Sequence, residues 1–322
     1  MKRDKILVIT SKDDPHADFI IDKININGLD KTVVRFNTED FITNCSFTYQ
    51  NEFGYLHFTD SDKSIDTREI LSVWYRRPKE IIIDEKLKPY SHFIKEQTDA
   101  ALKGFYFATH HESKWINPLD ALYKSRLKIH QLELAKRIGF HVPDTIVTNS
   151  ATDLALFLNK HDQVSTKSLD YPNAKIEGQL IPLYNRIISK EEFKTNINSI
   201  STCPTLFQKY IAKKYDIRVI IIGTSLTAFA IYSQEKEFSI EDVRGVTPFD
   251  LRHEIIELPN EIIEKLLLFV KEQGLIFSAI DLIYGKDDKY YFLENNPNGQ
   301  WLWLEQKTNF SLSDLFINEL YN

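Results

Sequence analysis

Three oxygen-bearing side chains near the end of the chain, Asp281, Glu294 and Asn296, have the chemistry and spacing to hold a hard cation. They lie in residues 275–305, LIFSAIDLIYGKDDKYYFLENNPNGQWLWLE, where two β-rich runs flank the polar turn Gly285-Lys286-Asp287-Asp288-Lys289. Such runs around such a turn predict a hairpin. Side chains alternate along a strand, so Glu294 and Asn296 share a face. If Gly285 pairs with Tyr290, Asp281 falls opposite Glu294, and opposed residues also share a face. Two adjacent carboxylates repel each other unless a cation lies between them. Oxygen ligands of this kind suit Mg²⁺, which usually binds substrate phosphates as well. A solvated hairpin would explain Asp287 and Asp288 at the turn. It does not explain Asp281, which Ile280, Leu282 and Ile283 surround with apolar residues.

The elements that must position these residues can be read in order. KILVIT (5–10) predicts a buried strand. A helix from Ala17 follows, with Gly28 as its stop, and KTVVRF (31–36) gives a second strand. This β-α-β start indicates a parallel α/β layer. SFTYQ and YLHFT read as a hairpin around 51–54, and ILSVWY (70–75) as a strand ended by Arg76-Arg77-Pro78. Paired arginines at a strand end usually form a solvated rim; beside a phosphate or carboxylate site they become anion ligands. Residues 87–111 predict a long amphipathic helix, and His110-His111 read as structural.

Asn117-Pro118 form a helix-starting pair. Leu127, Ile129, Leu132, Leu134, Ala135 and Ile138 supply the buried stripe, and Gly139 the stop. Residues 152–160 make a short helix, and Val164-Ser165-Thr166-Lys167 a strand. Residues 177–189 read as strand. Further strands lie within 206–222 and at SLTAFAIYS, and a helix spans 260–273 between Asn260 and Gly274. A short amphipathic helix closes the chain.

With 322 residues, two or three domains are expected. Hydrophobic content of 43% and charged content of 27% are those of an ordinary globular protein. A net charge of −6 disfavours nucleic acid as partner. No apolar run is long enough to span a bilayer, so no membrane is expected. Cys45 and Cys203 imply no disulfide framework and fit a reducing, cytoplasmic setting. The ten glycines include no GxGxxG or GxxxxGK[ST] pattern, so any nucleotide must be held by another device.

Asp281 followed by Glu294-Asn295-Asn296-Pro297-Asn298-Gly299 resembles the C-terminal metal site of the ATP-grasp ligases. The continuation Gln300-Trp301-Leu302-Trp303-Leu304-Glu305 resembles one branch of them, the microviridin-type or graspetide ligases that cross-link ribosomal peptides. The resemblance covers nearly the whole chain. It implies an α/β (α+β) fold of three subdomains, near 1–113, 114–205 and 206–322, with nucleotide between the second and third. It implies ATP and Mg²⁺ as cofactors and a precursor peptide, with leader and acidic core, as partner; a homodimer is expected.

The resemblance also implies roles. Lys128, at the family's distance before Gly139, Pro143 and Thr145, would contact phosphates, with Lys124 as the alternative. Lys167 would be the second phosphate lysine. Gln208, Lys209, Tyr210 and Ile211 occupy the adenine hinge. Arg218, in Asp216-Ile217-Arg218, would face the transferred phosphate. Arg244, in Asp242-Val243-Arg244 where the family usually has Asp-Trp-Arg, would orient the acidic acceptor. Arg76 and Arg77 match a Trp-Tyr-Arg-Arg-Pro stretch and are candidate substrate ligands. Where other ATP-grasp enzymes carry a glycine-rich loop, this chain has DYPNAKIEGQLIPLYNRI. That departure points to a leader-docking hairpin, with Asp170 and Tyr184 as substrate contacts. The implied reaction phosphorylates an Asp or Glu side chain of the precursor and closes a macrocyclic ester or amide with Ser, Thr or Lys. Two alternatives stand beside it: a ligase adding amino acids to a peptide or protein tail, and a non-catalytic nucleotide-binding module.

Overall fold

The computed structural model describes residues 2–28, 30–110, 112–170, 173–176, 179–183, 185–235 and 250–322. The chain divides into two compact units, residues 1–122 with 274–277 and 311–322, and residues 123–273 with 278–310.

The first unit begins with β1 (Lys5–Thr10), α1 (Pro15–Ile26) and β2 (Thr32–Asn37). The expected helix starts two residues early, because Asp14 caps it by accepting from the His16 N–H and Pro15 opens it. Then come α2 (Phe41–Asn44), β3 (Cys45–Gln50), β4 (Phe53–Phe58), β5 (Lys63–Asp66), β6 (Ile70–Tyr75), α3 (Ser91–His110) and β7 (Lys114–Ile116). A parallel sheet runs β2-β1-β6-β7, and β3-β4-β5 form an antiparallel meander. Strand β1 is covered on both faces, with Ile6 to Ile9 fully buried, as a parallel strand between layers requires. Leu7, Phe36, Val73, Phe105 and Trp115 share its core. His110 packs edge-on against Trp115, a structural place; His111 lies outside the described residues.

Asn117 is not a simple helix opener. Its amide donates to the Phe277 carbonyl and accepts from the N–H groups of Ile276 and Phe277.

The second unit follows α4 (Leu119–Ser125) with α5 (Lys128–Ile138), β8 (Thr145–Thr148), α6 (Ala151–Lys160), β9 (Val164–Lys167), β10 (Asn173–Ile176), β11 (Gln179–Pro182), β12 (Arg186–Ile188), α7 (Lys190–Ile200) and β13 (Thr205–Lys209). It continues with β14 (Lys213–Ile222), β15 (Ser225–Ile231), β16 (His253–Ile256), α8 (Asn260–Gln273), β17 (Phe277–Gly285), β18 (Tyr290–Asn296) and α9 (Leu302–Thr308). One sheet is β12-β9-β13-β8, another β16-β15-β14-β17-β18, and β10-β11 stand apart as a two-stranded hairpin. The closing helix, α10 (Leu312–Tyr321), belongs to the first unit, where Ser72 donates to the Leu320 carbonyl and Phe316 packs on Trp74.

The stripe expected before Gly139 is corrected in part. The helix breaks at Leu127, whose backbone is extended, and Leu127 and Ile129 are exposed. Leu132, Leu134 and Ala135 are buried as expected, and Gly139 ends the helix at φ 98°. α2, β5, β7, β8, β16, α7 and α9 have no counterpart among the predicted elements. No described helix is long and apolar enough to cross a membrane.

Candidate active site

The hairpin read from the sequence is present as β17 and β18, and Asp281 pairs directly with Glu294. The turn end of the register differs from expectation: Tyr284, not Gly285, faces Tyr290, and a β-bulge after Asp281 absorbs the one-residue shift. Without that bulge Asp281 would pair with Leu293, and Glu294 and Asn296 would fall on the opposite face from it. The Asn296 amide donates to Asp281 at 3.2 Å, which places all three oxygen-bearing groups together. Behind them Gly299 passes close to β17. A Cβ there would meet the Ala279 Cβ at 2.4 Å, so Pro297-Asn298-Gly299 has a steric reason to end in glycine.

Four cations surround or adjoin these acids. Lys128, the first residue of α5, lies 2.9 Å from Glu294 and donates to the Ser168 carbonyl at 2.7 Å. Arg218, on β14, lies 3.0 Å from Asp281 through Nε. Its buried Nη1 makes no hydrogen bond among the described residues. Lys167 ends β9, and burial pulls its ammonium pKa down while the Glu294 carboxylate acts to raise it. Lys213 donates to both oxygens of Asp216 at 2.8 Å, and Ser233 donates to the same carboxylate.

The two central carboxyls are driven apart electrostatically. Burial, joined by the nearby Glu294 charge and opposed by Arg218, pushes Asp281 up to about 6. Burial acts in the same sense on Glu294, but Lys128, Lys167 and Arg218 together outweigh it and hold that group down at about 2. Among the described residues no three His, Cys, Asp or Glu side chains converge. A cation here would rest on two carboxylates and one amide, a set that suits Mg²⁺ sharing its shell with phosphate and water. The orphan Arg218 donor and the cluster of lysines fit the phosphates of the same ligand. Asp281, Glu294 and Asn296 would hold the ion, which when bound neutralises charge on phosphate oxygens.

The profile of the MvdD pre-ATP grasp domain matches residues 5–123. The Chryseobacterium gregarium RiPP-associated ATP-grasp ligase, solved with ADP and a leader and core peptide, is similar over 100% of this chain and 97% of its own, at 27% identity and TM-score 0.87. This chain has the ATP-grasp fold of the RiPP-associated ligases. Macrocyclase MdnC of Microcystis aeruginosa MRC, bound with precursor peptide MdnA, shares the fold at 24% identity and TM-score 0.85, over 99% of each chain. So does the ATP-grasp ligase PsnB, complexed with a minimal precursor variant, Mg and ADP, at 18% identity and TM-score 0.76, over 100% of this chain and 98% of its own. No curated protein sequence matches the chain. The fold class and the resemblance read from the sequence are borne out.

The structure thus gathers Lys128, Lys167, Arg218, Asp281, Glu294 and Asn296 in the second unit. Lys124 is exposed and makes no contact with this set among those described, whereas Lys128 pairs with Glu294. At the expected hinge, Gln208 is buried with its amide on Thr145, and the N–H groups of Lys209 and Tyr210 already donate to the Asp144 and Gln163 carbonyls. Those two donors are spent, so an adenine edge would have to be read by carbonyls here or by Ile211. Asp170 is exposed, and Tyr184 and Arg244 lie outside the described residues.

Arg76 and Arg77 part company in the first unit. Arg76 is buried 3.8 Å from Asp14, and burial lowers its pKa to about 10; Arg77 is exposed. Asp14 also accepts from Thr10. Sequence reasoning missed Asp14, Lys213, Ser233 and Gln131. Asp216 stood in its motif unassigned, although Lys213 three residues before it is a visible pairing signal.

Proposed function

We propose that the chain is an ADP-forming peptide ligase that cross-links a ribosomal precursor peptide. The observation that carries this is the convergence of Asp281, Glu294 and Asn296 with Lys128, Lys167 and Arg218 on a fold shared with precursor-bound ligases. An Asp or Glu carboxylate of the precursor attacks the terminal phosphorus of ATP. The bond to the bridging oxygen breaks, ADP leaves, and an acyl phosphate forms. A Ser or Thr hydroxyl, or a Lys amine, of the same peptide then attacks the acyl carbon; phosphate leaves and the nucleophile loses its proton. No protein nucleophile is needed. Lys128, Lys167 and Arg218 bind and orient the phosphates, and their charge favours the developing negative charge on the transferred group. Arg244 orients the acidic acceptor.

The leader is assigned to the β10-β11 hairpin and its flanks. The hairpin belongs to neither larger sheet, and the nearby Ile181 and Leu183 are exposed, which suits a surface that takes an extended peptide. Arg77, exposed at the end of β6, is kept as a substrate ligand; Arg76, buried with Asp14, is read as its support. Besides the β10-β11 hairpin the second unit holds two larger sheets, which favours dividing it into the second and third of the three subdomains, with the boundary expected near 205 moved past β13 because that strand pairs with β8 and β9. Exposed Ile82, Leu87, Tyr90 and Phe93, before and at the start of α3, suit a homodimer contact. ATP chemistry and two free cysteines favour the cytoplasm.

The test is to incubate the protein with ATP, Mg²⁺ and a short acidic precursor peptide sought among the neighbouring reading frames, and to read the product by mass spectrometry. Losses of 18 Da per ring are expected. A gain of an amino-acid mass would favour the tail-adding ligase, and an unchanged peptide would overturn the proposal.

A further inference from the structure

Strand β18 carries Glu294 and Asn296 on its site face, and β17 pairs with one of its edges. Among the described residues the other edge has no strand. Backbone groups left there need partners. Near the turn His141 supplies one, its carbonyl accepting from the Phe292 N–H. Between the two site residues the partner is a side chain. Gln131 Oε1 accepts from the Asn295 N–H at 2.8 Å, and its Nε2 donates to the Asn295 carbonyl at 2.8 Å. The second proton of the same amide goes to the Ser125 carbonyl at 2.5 Å. Gln131 thus does for Asn295 what an adjoining strand would do, and it is only 2% exposed.

The amide orientation is forced. A flipped Gln131 would set N–H against N–H and oxygen against two carbonyls. No other side chain of this size offers one acceptor and two donors in one plane. Gln131 also lies three residues after Lys128, on the same side of α5. One end of this helical turn therefore contacts Glu294 by charge, and the other grips the peptide groups between Glu294 and Asn296.

We infer that Gln131 is a positioning residue that locks the Glu294–Asn296 segment to the helix carrying Lys128, and so sets the geometry of the cation site. This rests on the nucleotide-site reading above. A residue that merely filled the core would affect stability and all ligands alike. A positioning residue should act mainly on the cation-dependent part of nucleotide binding.

The experiment measures ADP affinity with and without Mg²⁺ for the full chain, and for Gln131→Met and Gln131→Glu, with thermal melting alongside. Gln131→Met should lose at least tenfold in the enhancement that Mg²⁺ gives, while ADP alone changes less than threefold. Gln131→Glu adds a readout in pH. Ionised, it turns oxygen toward two carbonyls; protonated, it can again donate to Asn295 and accept from it. Its enhancement relative to wild type should therefore recover as pH falls from 8.5 to 6. If Gln131→Met does not fold, the pH series on Gln131→Glu decides alone. An enhancement within twofold of wild type, an equal loss with and without Mg²⁺, or a ratio flat in pH overturns the inference. If wild type itself binds no ADP, the nucleotide-site reading fails first and the inference falls with it.

Discussion

Asp281 should tie cation binding to the release of a proton. Its carboxyl is held up at about 6, by burial first and by the neighbouring Glu294 charge, against the pull of Arg218. A divalent cation takes the carboxylate, not the acid. Below pH 6, each further unit of acidification should then weaken Mg²⁺ binding about tenfold, or about 1.4 kcal/mol. Glu294, held down at about 2, stays ionised throughout and adds nothing to this slope. At pH 5.5 about three quarters of Asp281 is protonated if its pKa is about 6. Titrating Mg²⁺ into the protein with saturating ADP, in two buffers of different ionisation heat, counts the protons released. The same titration of ADP without protein is subtracted. We expect about three quarters of a proton at pH 5.5 and close to none at pH 8. No release at pH 5.5, or a half-saturation that is flat from pH 5 to 7, would refute the reasoning.

Because the folded Asp281 pKa lies above its unfolded value, this group's contribution is most favourable at low pH and is lost as pH rises from about 4 to 6, by at most about 3 kcal/mol. Asp281→Asn should therefore melt higher than wild type at pH 7.5 without nucleotide and show no gain at pH 4; a lower melting point at pH 7.5 would contradict this. Lys128→Ala removes the ammonium 2.9 Å from Glu294, a pair about a quarter exposed at most. It should cost about 1–2 kcal/mol in urea unfolding, below the range for fully buried pairs, and lower ADP affinity about 10- to 100-fold by calorimetry. Unchanged ADP affinity would remove Lys128 from the phosphate site. Gly299→Ala should cost about 1–3 kcal/mol, since its Cβ would meet Ala279 at 2.4 Å with no flexible side chain to give way; an unchanged urea midpoint would show that the turn yields more easily than the geometry implies.

Much of the site was legible because its signals are local. Asp281, Glu294 and Asn296 follow from strand alternation and one hairpin; Lys128 came only with the family resemblance, since by pattern alone it belongs to a solvated face. The bulge after Asp281 was not legible: a one-residue irregularity leaves no compositional mark, and the expected pairing of Asp281 with Glu294 holds only because the bulge cancels the shift at the turn. Gln131 was invisible for another reason. A buried glutamine in a helix looks like any polar residue until a strand 164 residues away brings its backbone against it. The two arginines after β6 are identical in type and adjacent, yet Arg76 is buried with Asp14 and Arg77 is exposed; alternation at a strand end separates them, and only tertiary packing says which goes inward. The predicted stripe through Leu127 and Ile129 failed because helical periodicity was carried across a break that no proline or glycine announces.

In the proposed reaction, phosphoryl transfer and ring closure are one coupled process on this chain. Counting ADP formed against water lost from the precursor, in the same reaction, tests it directly. One ADP is expected for each loss of 18 Da with the wild-type protein, and neither product with Glu294→Gln. ADP formed without mass loss, or mass loss at the wild-type rate in Glu294→Gln, would contradict it.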